Sequence, residues 1–304
     1  GTQLDRNAQL KASAHSRITP SQPPLETRDG CVRCHTGPGF AKQTEKAAEV
    51  SARALGCNDC HDFAGTKEAK LRIVGTVAFP NKKAMAAGTA ATCLTCHNSR
   101  RDTTDPSTLK QAASPHHSTQ GDMLAGTNAF EVAGTKYTNS VHVALADSCV
   151  VCHMAPSPGN APDAGGHSFR MVTKDGVQNL GACRPCHPDI KSFDRPAYGD
   201  YDGDGTLEGI QSEVDGLLKK LEPEILRLAK AAKVESAGGK LKFTDAAGKE
   251  VTGVDPTALQ AAYNLFFVRF DGSRGVHNPA YAVQVLQSTY RLVTGHDVPG
   301  AVLR

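Results

Sequence analysis

All ten cysteines of this 304-residue chain fall in five copies of one pattern. The copies are Cys31-Val-Arg-Cys34-His35, Cys57-Asn-Asp-Cys60-His61, Cys93-Leu-Thr-Cys96-His97, Cys149-Val-Val-Cys152-His153 and Cys183-Arg-Pro-Cys186-His187. Two thiols at this spacing can each form a thioether with one vinyl group of a porphyrin. The adjacent histidine is then held beneath the iron as its proximal ligand. A structural zinc site would pair two such elements for four ligands, and five is an odd number for pairing. Neither a redox dithiol nor a disulfide gives a reason for a histidine after every second cysteine. The pattern therefore predicts five covalently bound haem c groups, with His35, His61, His97, His153 and His187 on iron. No cysteine is left for a disulfide or a lipid anchor.

Composition agrees with a fold built around such plates. Tryptophan is absent, aromatic residues are 5%, and 29 glycines join 17 prolines. A chain this short of core material is expected to fold poorly without its porphyrins, as small domains do without metals or crosslinks. The formal charge of +3 omits the haem propionates, and the lysines are scattered, so no nucleic-acid partner is implied. No stretch approaches the roughly 18 apolar residues of a membrane span. The polar start reads as mature chain, any signal peptide having been removed or omitted. Attachment of haem c outside the bacterial cytoplasm makes the expected location periplasmic or extracellular.

The expected fold class is mainly α with extensive loops. Residues 1–190 form a haem-stacking region with each motif on a helical turn, and 191–304 a calcium-loop and helical brace. In the first part, "FAKQTEKAAEVSARAL" (40–55) has a helical pattern. In the second, "GIQSEVDGLLKKLEPEILRLAKAA" spaces apolar residues for a helix that Pro223 kinks or divides. "GKLKFTDAAGKEVTG" alternates around a glycine turn and suggests a small hairpin. "DPTALQAAYNLFFVRF" opens with Asp255 as N-cap and Pro256 at N1; "NPAYAVQVLQSTYRLVTG" opens with Asn278 and Pro279 and ends at Gly295.

Seven histidines remain for the opposite axial positions: His15, His116, His117, His142, His167, His277 and His296. Met85, Met123, Met154 and Met171 are alternatives the histidine supply does not require. The segments "SPHHSTQGDMLAG", "SVHVALADSCVVCHM", "GGHSFRM" and "GSRGVHNPAYAVQVLQ" resemble bacterial multihaem cytochromes related to the cytochrome c nitrite reductase superfamily. The likeness covers roughly 110–295 and implies distal ligation by His142, His167 and His277. His15, 16 residues before Cys31, is similarly placed to distal ligands of related chains. His116 and His117, if extended, point opposite ways and serve two haems, or one binds iron and the other a propionate. His296 is expected to be a bystander or to reach a neighbouring subunit.

"DYDGDGTLEGIQSE" (200–213) begins like a calcium loop, with Asp200, Asp202 and Asp204 at positions 1, 3 and 5, Gly205 at 6 and the Thr206 carbonyl following. Position 12 is Gln211 rather than glutamate, so Glu208 or Glu213 has to substitute. An Asx-rich turn capping the next helix is the alternative. The resemblance also separates functions. The nitrite reductases carry a lysine in one haem motif, whereas all five here end in histidine. The expectation is electron transfer through mostly bis-histidine haems, in anaerobic respiration, to redox-partner cytochromes or extracellular acceptors. Self-association into a filament is a variant of it. A reductase of nitrite, hydroxylamine or a sulfur oxyanion at a five-coordinate haem is the alternative.

Overall fold

The computed structural model describes residues 5–18, 20–21, 24–64, 68–159 and 163–304. It is mainly helical with long loops, and its described strands form only two-stranded pieces. The chain divides into two compact units, each drawn from separate stretches. The first comprises Gly1–Val77, Ala86–Cys96 and Ala146–Ser192; the second comprises Ala78–Met85, His97–Leu145 and Phe193–Arg304.

The first unit is built mostly of short helices and turns. Val32–His35, Cys57–Cys60 and Ser148–His153 are helical turns inside haem motifs, and the Leu180–Ala182 turn leads into the fifth. Its buried apolar side chains are mostly small: Val32, Ala87, Ala90, Ala91, Ala155 and Ala164 join Phe40 and Leu94. The helix expected over 40–55 is not formed. Thr36 caps a shorter one, Gly37–Lys42, by accepting from Gly39 N at 3.0 Å, and it stops at Gln43 in the left-handed region. Beyond it lies only the Ala47–Glu49 turn. Tertiary bonds outbid the local pattern: Arg53 pairs with the buried Asp59 carboxylate at 2.5 and 2.7 Å, and its carbonyl accepts from Gly37 N.

The second unit has an ordinary apolar core. Ile210–Ala229, Pro256–Asp271 and Pro279–Thr294 pack together through Val214, Leu217, Leu221, Ile225, Phe267, Val285 and Leu286. The first of these runs through Pro223 as one helix. Leu221 and Ile225, both fully buried, anchor it on either side of the missing amide. The other two begin and end where the sequence predicts. Asp255 accepts from Thr257 N at 2.7 Å, Asn278 accepts from Tyr281 N at 3.3 Å, and Gly295 closes the last at φ 83°. The hairpin is displaced from its expected turn. Lys233–Ala237 pairs antiparallel with Lys240–Thr244 across Gly238 and Gly239. The expected glycine turn adds one bridge, Thr244 to Glu250. The Gly238-Gly239 pair supplies two positive-φ positions and so nucleates the tighter turn.

Candidate functional site

The motif geometry is local. His35 N donates to Cys31 O at 3.1 Å and His187 N to Cys183 O at 2.8 Å, closing a single turn that sets thiols and imidazole side by side. No disulfide joins the ten cysteines. Burial, aided by neighbouring Asp59 and Cys57, raises the Cys60 thiol to about 11; burial with Cys183 and Cys149 does the same at Cys152. A redox dithiol needs the opposite shift. Nor do cysteines gather as zinc ligands: among the described residues, only Asp200, Asp202 and Glu213 form a group of three donors within reach of one ion. The motifs adjoin one another. Cys93 hydrogen-bonds Cys149, Cys60 is near enough to raise it further, and Cys34 Sγ lies 4.0 Å from Thr95 O. Asp147, ahead of the fourth motif, accepts from Thr89 N and Oγ1 at 2.5 and 2.7 Å, just ahead of the third.

The imidazoles are anchored through Nδ1. That atom lies 3.1 Å from Ala69 O in His61, 3.0 Å from Gln120 Oε1 in His97, and 2.7 Å from Ser118 Oγ in His116. It lies 2.9 Å from Val276 O in His142, 2.8 Å from Phe169 O in His153, and 2.5 Å from Asp271 Oδ1 in His277. An imidazole donating from Nδ1 has its tautomer and ring orientation set for a metal at Nε2.

The spacing of one pair bears on the fit to a metal. His61 and His167 have ring centroids 6.2 Å apart with planes 39° apart. With metal–nitrogen bonds of about 2.0 Å, two imidazoles on one metal would have ring centres about this far apart, so the separation fits shared ligation. Burial, then His61 and Arg6, lowers the His167 pKa, favouring the neutral form a ligand needs. His97 is lowered by burial and by His277 and Arg100, against the raising contact of Gln120. His117 is lowered by burial, Arg100 and His97. His15 meets Phe169 edge-on at 5.0 Å, and half-buried His35 and His187 sit at their motif turns. The opposed geometry expected of His116 and His117 is not found. The chain bends at His117, and the rings lie 4.2 Å apart at 31°. His296 is exposed, its Nδ1 3.0 Å from Asp297 O.

In the acidic loop, Asp200, Asp202 and Glu213 each present a carboxylate oxygen, mutually within 4.8 Å. Glu213, fully buried, accepts from Tyr201 N, Asp202 N and Glu208 N at 2.7, 3.1 and 3.0 Å. It takes the place left by Gln211, whose Nε2 turns away to Ser273 O. Asp204 accepts from Thr206 N at 2.7 Å, outside the group of three. Desolvation and then the Asp204, Asp202 and Glu213 carboxylates raise the Glu208 pKa. The following helix is capped from elsewhere: Asp194 accepts from Gln211 N, Ser212 N and Ser212 Oγ at 2.7, 3.2 and 2.7 Å. Capping therefore does not explain the converging carboxylates.

No protein-family model matches this chain, and no curated protein does. Among solved structures, the crystal structure of the outer cell wall cytochrome OcwA is similar, with a TM-score of 0.57 at 20% identity. The match covers 95% of this chain and 50% of that one. The fold is shared with a cytochrome. This chain spans half the length of OcwA. The residues that hold imidazoles in place, Gln120 and Asp271, have no motif of their own. Their only sequence cue is position, one following the His116-His117 pair and the other preceding His277.

Proposed function

We propose that the chain is an exported electron-transfer cytochrome carrying five haem c groups, most of them ligated by two histidines. The 6.2 Å spacing of His61 and His167 is the observation that carries this reading. Haem supplies a one-electron iron couple; the chain's part is to hold it. Cys57 and Cys60 would hold the porphyrin of that pair, and His61 and His167 would ligate its iron. His35, His97, His153 and His187 repeat the proximal role, with His15, His116, His117, His142 and His277 as distal candidates. Imidazoles held through Nδ1 would keep their orientation whichever oxidation state the iron held, which would limit reorganisation. The adjoining cysteines of the second, third, fourth and fifth motifs favour passage from haem to haem. Histidine in all five motifs favours conduction over reduction of nitrite at an open iron. Partners of this class are redox proteins or extracellular acceptors. His15 packs on Phe169 of its own unit, which supports ligation within the chain rather than across a filament contact.

We also infer a structural calcium ion at Asp200, Asp202 and Glu213, with Asp204, the Thr206 carbonyl and Glu208 completing the oxygen set. Crowded carboxylates whose charges oppose one another, as at Glu208, favour a cation.

The test is intact mass with haem-stained electrophoresis and a pyridine haemochrome count on protein matured with a haem c attachment system. Five haems per chain are expected. His167→Ala should retain five and convert one from low to high spin, whereas five low-spin haems in that variant would refute the His61–His167 pairing.

A further inference from the structure

His277 is held by a different kind of partner from His61, His97, His116, His142 and His153. Its Nδ1 lies 2.5 Å from Oδ1 of Asp271, whose side chain has no solvent exposure. Nδ1 of His61, His97, His116, His142 and His153 meets neutral oxygens instead. The carboxylate is fixed by its surroundings. Asp271 is the last residue of the Pro256–Asp271 helix, and its Oδ2 accepts from Ser273 N at 3.2 Å and from Ser273 Oγ. Ser273 Oγ accepts in turn from His277 N at 3.1 Å. Gln120 Nε2 donates to the carbonyls of Phe270 and Asp271 at 2.8 and 3.4 Å, while its Oε1 holds His97. One helix end thus organises a distal and a proximal imidazole.

A carboxylate acceptor draws the Nδ1 proton more strongly than a carbonyl does, and the ring becomes a more basic donor at Nε2. A more basic axial ligand stabilises ferric over ferrous iron and moves the couple to lower potential. Burial keeps that interaction from being screened by water.

Resting on the haem reading above, we propose that Asp271 is a positioning residue that orients His277 and lowers the reduction potential of the haem His277 ligates. The test is a spectroelectrochemical titration of the Asp271→Asn holoprotein, followed by optical and EPR spectra. Each ferric iron takes one electron from dithionite, and the His277 proton stays on Nδ1. Asparagine keeps the shape and the oxygen but loses the charge. The expected result is five retained low-spin haems, with one midpoint raised by a tenfold change in its equilibrium constant, about 59 mV for one electron. The EPR signal of one centre should shift with it.

Ser273→Ala supplies a second reading, because Asp271 loses a donor and His277 N loses its acceptor. The same midpoint and the EPR signal of that one centre are then expected to shift while the others stay. Where Asp271→Asn does not retain haem, this variant decides. Unchanged midpoints in Ser273→Ala, or in an Asp271→Asn protein with five low-spin haems, would overturn the assignment while leaving the cytochrome reading intact. A wild-type chain without haem would instead overturn the reading beneath it.

Discussion

At the scale of single residues, the structure assigns costs that composition hides. Gly216 sits inside the Ile210–Ala229 helix, where glycine ordinarily costs about 1 kcal/mol relative to alanine. A Cβ there would stand 1.5 Å from Asp202 Oδ2. Gly216→Ala should therefore destabilise by about 1–3 kcal/mol instead of stabilising, read as a lower urea midpoint with an unchanged slope. Asp122 makes a pH prediction. Burial raises its pKa to about 6 despite bonds from Asn128 and Ser99, so the folded chain holds a proton that the unfolded chain has released. The sign follows: this contribution to stability is greatest below about pH 4, falls as pH rises, and has gone above about pH 6. The loss is about 3 kcal/mol. Denaturation of wild type and Asp122→Asn across that window should show a difference that changes with pH; a constant difference would contradict it. The motif histidines can be named at this scale because the chemistry expected of the motif fixes their spacing. Asp271, Gln120 and Asp122 were not, because their roles come from burial and from partners distant in sequence.

At the scale of elements, capping residues carried most of what could be read. Asp255-Pro256 and Asn278-Pro279 start their helices as expected, since an N-cap acts through its immediate neighbours. Asn278 does more than cap. Its Oδ1 also accepts from Ser140 N at 2.9 Å, and its Nδ2 reaches Asn139 Oδ1 at 2.7 Å. Asn278→Ala should cost about 2–3 kcal/mol, above an isolated cap, and should broaden the EPR signal assigned to neighbouring His277. The 40–55 segment shows the limit of periodicity: a helical pattern lost to Arg53–Asp59 and to a left-handed Gln43. In the acidic loop the sequence left Glu208 and Glu213 open, and only the fold brings Glu213 beneath Asp200 and Asp202. Calcium should raise the melting temperature of wild type but not of Glu213→Gln. At a hundredfold excess over Kd the expected stabilisation is about 2.7 kcal/mol, removed by chelator.

At the scale of the whole molecule, the two units differ in what holds them together. The second has a continuous apolar core, while the first buries mostly alanines around its motif turns. Haem-free chain should therefore be cut first within residues 5–77 and 146–192, with 193–304 persisting longest under limited proteolysis. That the chain leaves the first unit and returns twice was not legible, because no composition shift marks the crossings at 77–78, 85–86, 96–97 and 145–146. Neither family models nor curated proteins match, yet the fold is shared with OcwA over 95% of the chain. At 20% identity, the backbone path is shared while most side chains differ. The most direct measurement is the spin state of the oxidised holoprotein by EPR and optical spectroscopy, repeated after adding nitrite and hydroxylamine. Five low-spin centres unchanged by either addition are the predicted result. A high-spin fraction that shifts on addition would contradict a conductor and point to an open iron.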